Sequence, residues 1–163
     1  MAIYLNGRLD EQAVLVQATS PVALASTAGQ GLYVSMKGFR KLTAIIDILN
    51  ATTVTGTAIT VKQATAVAGT GAKALAFTRM LANIDYAAGQ ALTETAVLSN
   101  TFTTDTTNSK RLRYILEIDA QDLDIAGGFR CVSVQGASAV ASIGLISYVL
   151  WGARYSGASP YVD

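Results

Sequence analysis

The sequence predicts an all-β fold, an antiparallel β-sandwich or jelly-roll-like domain, on three observations. Apolar residues recur with a period of two in several segments, the spacing that puts them on one face of a pleated strand. Threonine supplies 18 of the 163 residues, and its branched Cβ suits a pleated surface but loses χ1 freedom in a helix. Turn signals containing glycine and asparagine separate the apolar segments at short intervals, giving about seven or eight short strands. A chain of this length suits one domain.

Taken in order, the chain divides into an arm, a domain and a tail. Residues 1–30 alternate turn signals (Asn6-Gly7, Ser20-Pro21, Gly29-Gln30-Gly31) with short apolar pieces such as Val14-Leu15-Val16, and form an expected N-terminal arm. Residues 31–153 carry the strands. Leu42, Ala44, Ile46 and Ile48 share one face of an extended segment; in the next, Ile59 and Val61 point opposite to Ala58, Thr60 and Lys62. The alanines of 72–83 would tolerate a helix, but Leu75 and Phe77 alternate and favour a strand. Residues 101–107 form the densest threonine run. Alternation is cleanest in 110–119, with Leu112, Tyr114, Leu116 and Ile118 on one face and Arg111, Arg113, Ile115, Glu117 and Asp119 on the other. Another strand, 129–135, follows Gly127-Gly128. Residues 143–151 are apolar on both faces, so that strand should be central or covered on both sides. Residues 154–163 show neither period and form an expected C-terminal tail.

Composition narrows function sharply. The chain contains no histidine, so it cannot build a Ser-His-Asp or Cys-His catalytic unit, a histidine zinc site or a histidine pH switch. A single cysteine, Cys131, excludes a disulfide or a cysteine-only metal site within one chain and suits a small buried hydrophobe. Twelve basic and eleven acidic residues give a net charge of +1, without the basic excess of a nucleic-acid binder. Charged residues make up only 14% of the chain, against about 25% in ordinary soluble domains. Mean hydropathy is +0.38, but 27 alanines and 14 glycines mean that small side chains supply much of it. The N-terminal Ile3-Tyr4-Leu5 run lacks a preceding basic region and is soon interrupted by Asn6, Arg8 and Asp10, unlike a secretory signal. The most apolar stretch is about half a membrane-spanning helix in length. Cytoplasmic synthesis without export or membrane contact is expected.

The candidate chemical motifs are weak. Gly69-Thr70-Gly71-Ala72-Lys73 superficially resembles a phosphate loop, but its glycines are too close and no Ser or Thr follows the lysine, so an inter-strand turn is expected. Glu117, Asp119, Asp122 and Asp124 form the densest carboxylate group. It lacks the calcium-loop spacing and suits a solvated strand end, with cation binding left open; Glu117 or Asp119 could pair with Arg111 or Arg113. Lys110-Arg111-Leu112-Arg113 is a basic strand edge fit for solvent or an acidic partner surface. No catalytic, cofactor-binding or metal-ligating residue is expected, and no cofactor.

The flanks say more. Ile3, Tyr4 and Leu5 at one end, with Tyr155 and Tyr161 at the other, are apolar anchors on segments too turn-rich to make a core. They either fold back on their own domain or reach neighbouring subunits, which would suit a charge-poor exterior. With Arg111, Arg113 and Arg154, these residues form the candidate partner-binding set.

A resemblance attaches to the ordered segments Ser35-Met36-Lys37-Gly38-Phe39-Arg40-Lys41 leading to Ile45-Ile46-Asp47, then Ile59-Thr60-Val61-Lys62-Gln63-Ala64-Thr65, Gly69-Thr70-Gly71-Ala72-Lys73-Ala74-Leu75, Asp122-Leu123-Asp124-Ile125-Ala126-Gly127-Gly128-Phe129-Arg130 and Ala153-Arg154-Tyr155. Most of 31–155 thereby resembles small virion proteins of tailed bacteriophages and prophages, above all capsid decoration or cement proteins. The resemblance implies binding to the major capsid protein on the outside of the head, a location in the virion, and homo-oligomers. A phage neck or tail ring component is the first alternative, separable by copy number. A carbohydrate-binding sandwich is the second, and would need convergent aromatics or paired carboxylates in a pocket.

Overall fold

Two antiparallel sheets account for the described residues, 12–24, 29–137, 142–153 and 158–162, of the chain's computed structural model. The strands are β1 (Ala13–Gln17), β2 (Val22–Ala23), β3 (Val34–Ser35), β4 (Lys41–Asn50), β5 (Ala58–Ala64), β6 (Lys73–Ala74), β7 (Phe77–Asn83), β8 (Thr93–Ser99), β9 (Thr101–Thr103), β10 (Arg111–Asp119), β11 (Cys131–Ala137) and β12 (Ser142–Trp151). The larger sheet runs β1-β12-β4-β10-β7-β8, with β2 also on β12; the smaller runs β3-β11-β5-β6, with β9 also on β5. The expected all-β sandwich is the observed architecture.

The period-two pattern explains the central ladder. β4 buries Leu42, Ala44, Ile46 and Ile48 and turns the alternate residues outward. β10 pairs with it from Arg111↔Leu49 to Asp119↔Lys41, and β12 from Ser142↔Asn50 to Trp151↔Lys41. This register brings Leu112, Leu116 and Ile118, together with Ile146 and Leu150, onto the same inner face. The smaller sheet contributes Ile59, Val61, Val132 and Val134 to the same core. Each such large side chain contributes about 1.5–3 kcal/mol by leaving water. Phe102 packs on Phe77 edge-to-face at 6.2 Å and on Tyr114 at 5.0 Å. Tyr148 spans the layers: from β12 its phenol oxygen accepts the Val134 N–H of β11 at 2.8 Å.

Part of the expected arm belongs to the domain. β1 pairs with β12 along its length, from Ala13↔Trp151 to Gln17↔Ser147. Leu24 then enters the core, fully buried. Its side chain fills the space left by two glycines, one on each sheet: a Cβ on Gly144 would lie 2.5 Å from Leu24 Cδ1, and one on Gly136 3.3 Å from Leu24 Cβ. The glycines thus form a socket.

Other details refine the sequence pattern. Residues 72–83 hold two strands, β6 and β7, as the alternation of Leu75 and Phe77 favours. The threonine run is strand only over Thr101–Thr103. Beyond it, Asn50 Nδ2 donates to the carbonyls of Asp105 and Thr107, each at 3.0 Å, and Thr104 exchanges two bonds with Thr57. These bonds, three of the four made by side chains, replace a regular ladder. β12 lies between β1 and β4, with its second face uncovered among the described residues: Ile143 is 52% exposed. Gly69 and Gly71 take positive φ in the β5–β6 hairpin, as the turn reading requires.

Candidate interaction surfaces

The first surface is the outer face of the larger sheet. Alternation sends Leu15, Leu49, Ile143 and Trp151 to this side, where they remain exposed, and half-buried Ile45, Ile115, Leu145 and Val149 fill the rows between them. The polar groups among them satisfy one another. Arg113 makes a bidentate pair with Asp47 (Nε–Oδ1 2.6 Å, Nη2–Oδ2 3.1 Å), and its guanidinium lies 5.1 Å from the Tyr86 ring. The bond to Asp47 raises the guanidinium pKa further above its ordinary value. Lys41 pairs with Glu117 at 2.8 Å, and the indole N–H of Trp151 donates to Thr43 Oγ1 at 3.0 Å. Few polar groups here would lose a water partner if the face were covered.

The expected basic strand edge is therefore largely neutralised. Lys110 pairs with Asp85 and Arg113 with Asp47, while Arg111 stays exposed beside Leu49. The pairing expected between Glu117 or Asp119 and Arg111 or Arg113 does not form. All four lie on β10, and the nearest of the cross pairs are four residues apart, about 13 Å along a strand. Adjacent strands supply the partners.

The carboxylate group also disperses. Glu117 is taken by Lys41. Asp122 accepts the Asp119 backbone N–H at 3.2 Å in a capping box over the 3-10 turn Ala120–Asp122. Asp124 pairs with Lys73 at 2.5 Å and accepts the Gly127 N–H at 2.9 Å; Lys73 first, then that N–H, holds the carboxyl below the ordinary aspartate value. Among the described residues, no three acidic or cysteine side chains converge as a metal set.

A second surface is a cleft of about 380 Å³ beside that turn, lined by Met36, Lys37, Ala120, Gln121, Ile125, Phe129 and Arg130. Its lining is mostly apolar and includes two cations, Lys37 and Arg130. Lys73 sits 4.0 Å over the Phe129 ring, fixing one wall. Such a cleft can hold an apolar side chain with a nearby negative charge.

The third surface is an edge. Among the described strands β8 pairs only with β7, so one row of its backbone groups has no strand beside it. A bulge sets Val97 and Leu98 against Thr78 alone, and Leu98 is left 90% exposed. Nothing in the period-two reading marked β8, because its TETAVLS pattern buries no residue.

Of the expected partner-binding residues, Arg111 and Arg113 lie on the outer face of the larger sheet, and Tyr161 lies beside the smaller one. The Pro160 carbonyl accepts the Ser35 N–H of β3 at 2.8 Å and Ala158 packs on the core, leaving Tyr161 57% exposed. Ile3, Tyr4, Leu5, Arg154 and Tyr155 are outside the described residues. Cys131 is fully buried in β11. No described helix is long and apolar enough to cross a membrane.

No family model matches the chain, and no curated protein matches it. Among solved structures, the SPBc2 prophage-derived protein YomS is similar over 85% of this chain and 92% of its own, with a TM-score of 0.48 and 13% sequence identity.

Proposed function

We propose that this chain is a structural protein of a tailed-bacteriophage particle: a capsid decoration protein that binds the outer surface of the major capsid lattice and stabilises the head. The observation that carries this reading is the outer face of the larger sheet. It exposes Leu15, Leu49, Ile143 and Trp151 between ion pairs that are already closed. Covering it removes apolar area from water without stranding those charges, at roughly 25 cal/mol per Å². A shell repeats each weak contact by symmetry, so a modest patch per copy suffices for a stable coat.

The test is add-back to heads purified from a phage lacking this gene. Saturable binding at hundreds of copies per particle, with greater resistance to heat, is the expected result. Six or twelve copies would instead indicate a neck or tail ring. Heads that neither bind the protein nor gain stability would sink the decoration reading.

A further inference from the structure

We infer that the β8 edge joins a second copy of this chain, strand to strand and antiparallel, across a two-fold axis at Thr95. The inference stands independently of the proposed virion role, because it concerns only how one copy meets another. Along 92–98 the described chain leaves one side of the strand unpaired, and an unpaired edge is matched in hydrogen bonding by another extended strand. What selects a second copy is the placement of the side chains along that edge.

With Thr95 on the axis, each residue meets the one equally far on the other side. Leu92, 44% exposed, then lies opposite Leu98 of the second copy, 90% exposed, and the two-fold repeats this contact at the other end. One geometry thereby covers both exposed leucines, Leu92 just before the strand and Leu98 within it. Glu94 is the single charge in the run and already pairs with Arg79 at 3.0 Å. In this register it faces Ala96, so no like charges meet directly. Thr93 faces Val97, and Thr95 faces itself, a pair able to share a hydroxyl hydrogen bond. A tryptophan, proline or lysine that would obstruct the edge is absent from 92–98.

Sedimentation equilibrium of the full chain tests the contact. A concentration-dependent dimer is expected, and the double variant Leu92→Lys/Leu98→Lys should weaken it at least about 100-fold. The circular dichroism of the folded sheet should be unchanged, since both positions are exposed. Cysteine scanning tests the axis. Thr95→Cys should give a disulfide-linked dimer on mild oxidation, whereas Thr93→Cys should not, its two copies lying about 13 Å apart in this register. Buried Cys131 serves as the background in both. A wild-type monomer at about 0.1 mM would overturn the proposal. So would a dimer insensitive to the lysines but dissolved by Ile143→Glu, or cross-linking through position 93 rather than 95.

Discussion

Tyr148 carries a polar group through an apolar core from one sheet to the other, and its phenol is the acceptor for the backbone N–H of fully buried Val134. Tyr148→Phe keeps the ring but strands the Val134 N–H, so it should cost about 1–3 kcal/mol in urea unfolding. Burial also pushes the phenol pKa well above its ordinary value, and burial raises that of Tyr114 too. The sign follows from the neutral form being the one the fold favours. The contribution is complete below the unfolded tyrosine value of 10.0 and is lost as pH rises beyond it. Stability measured from pH 9 upward should therefore begin to fall at about pH 10, and less steeply in the Tyr148→Phe variant. Lys73 acts in the opposite direction on Asp124. Lys73→Met should return the Asp124 pKa toward the ordinary aspartate range in a carboxyl NMR titration, because the principal cause of its depression has gone.

At the scale of elements, Leu24 and its glycine socket decide how the N-terminal segment is held. Leu24→Ala should cost about 2–5 kcal/mol by leaving a cavity between the sheets. Gly144→Val should also destabilise, by about 1–3 kcal/mol, because its Cβ would meet the Leu24 side chain. Both effects can be read from urea midpoints. β4, β5 and β10 were legible because each buries alternate residues on one face, and a period of two records that burial directly. The strand character of Ala13–Gln17 was hidden: its pairing comes from β12, more than a hundred residues away, and no local period reports a distant partner. β8 was hidden for the opposite reason, since an edge with little burial leaves little pattern. The ion pairs were missed in the same way. The sequence placed Glu117 near Arg113, whereas the sheet gives each a partner from β4.

At the scale of the whole molecule, the two sheets divide the work. The smaller sheet takes the tail, through the Ser35–Pro160 bond, while the larger leaves an apolar outer face open. Leu15→Glu/Ile143→Glu should leave the fold intact, as both side chains are exposed, yet abolish incorporation into phage heads, measured by quantitative mass spectrometry of purified particles. Deleting 158–162 exposes the β3 edge and should lower the thermal midpoint modestly, read by calorimetry. The chain's single tryptophan is on the face in question, 37% exposed and anchored to Thr43. The protein thus carries its own fluorophore where contact would occur. If that face meets a shell, indole emission should shift to the blue on binding, and the approach could be timed in a stopped-flow cell without a dye.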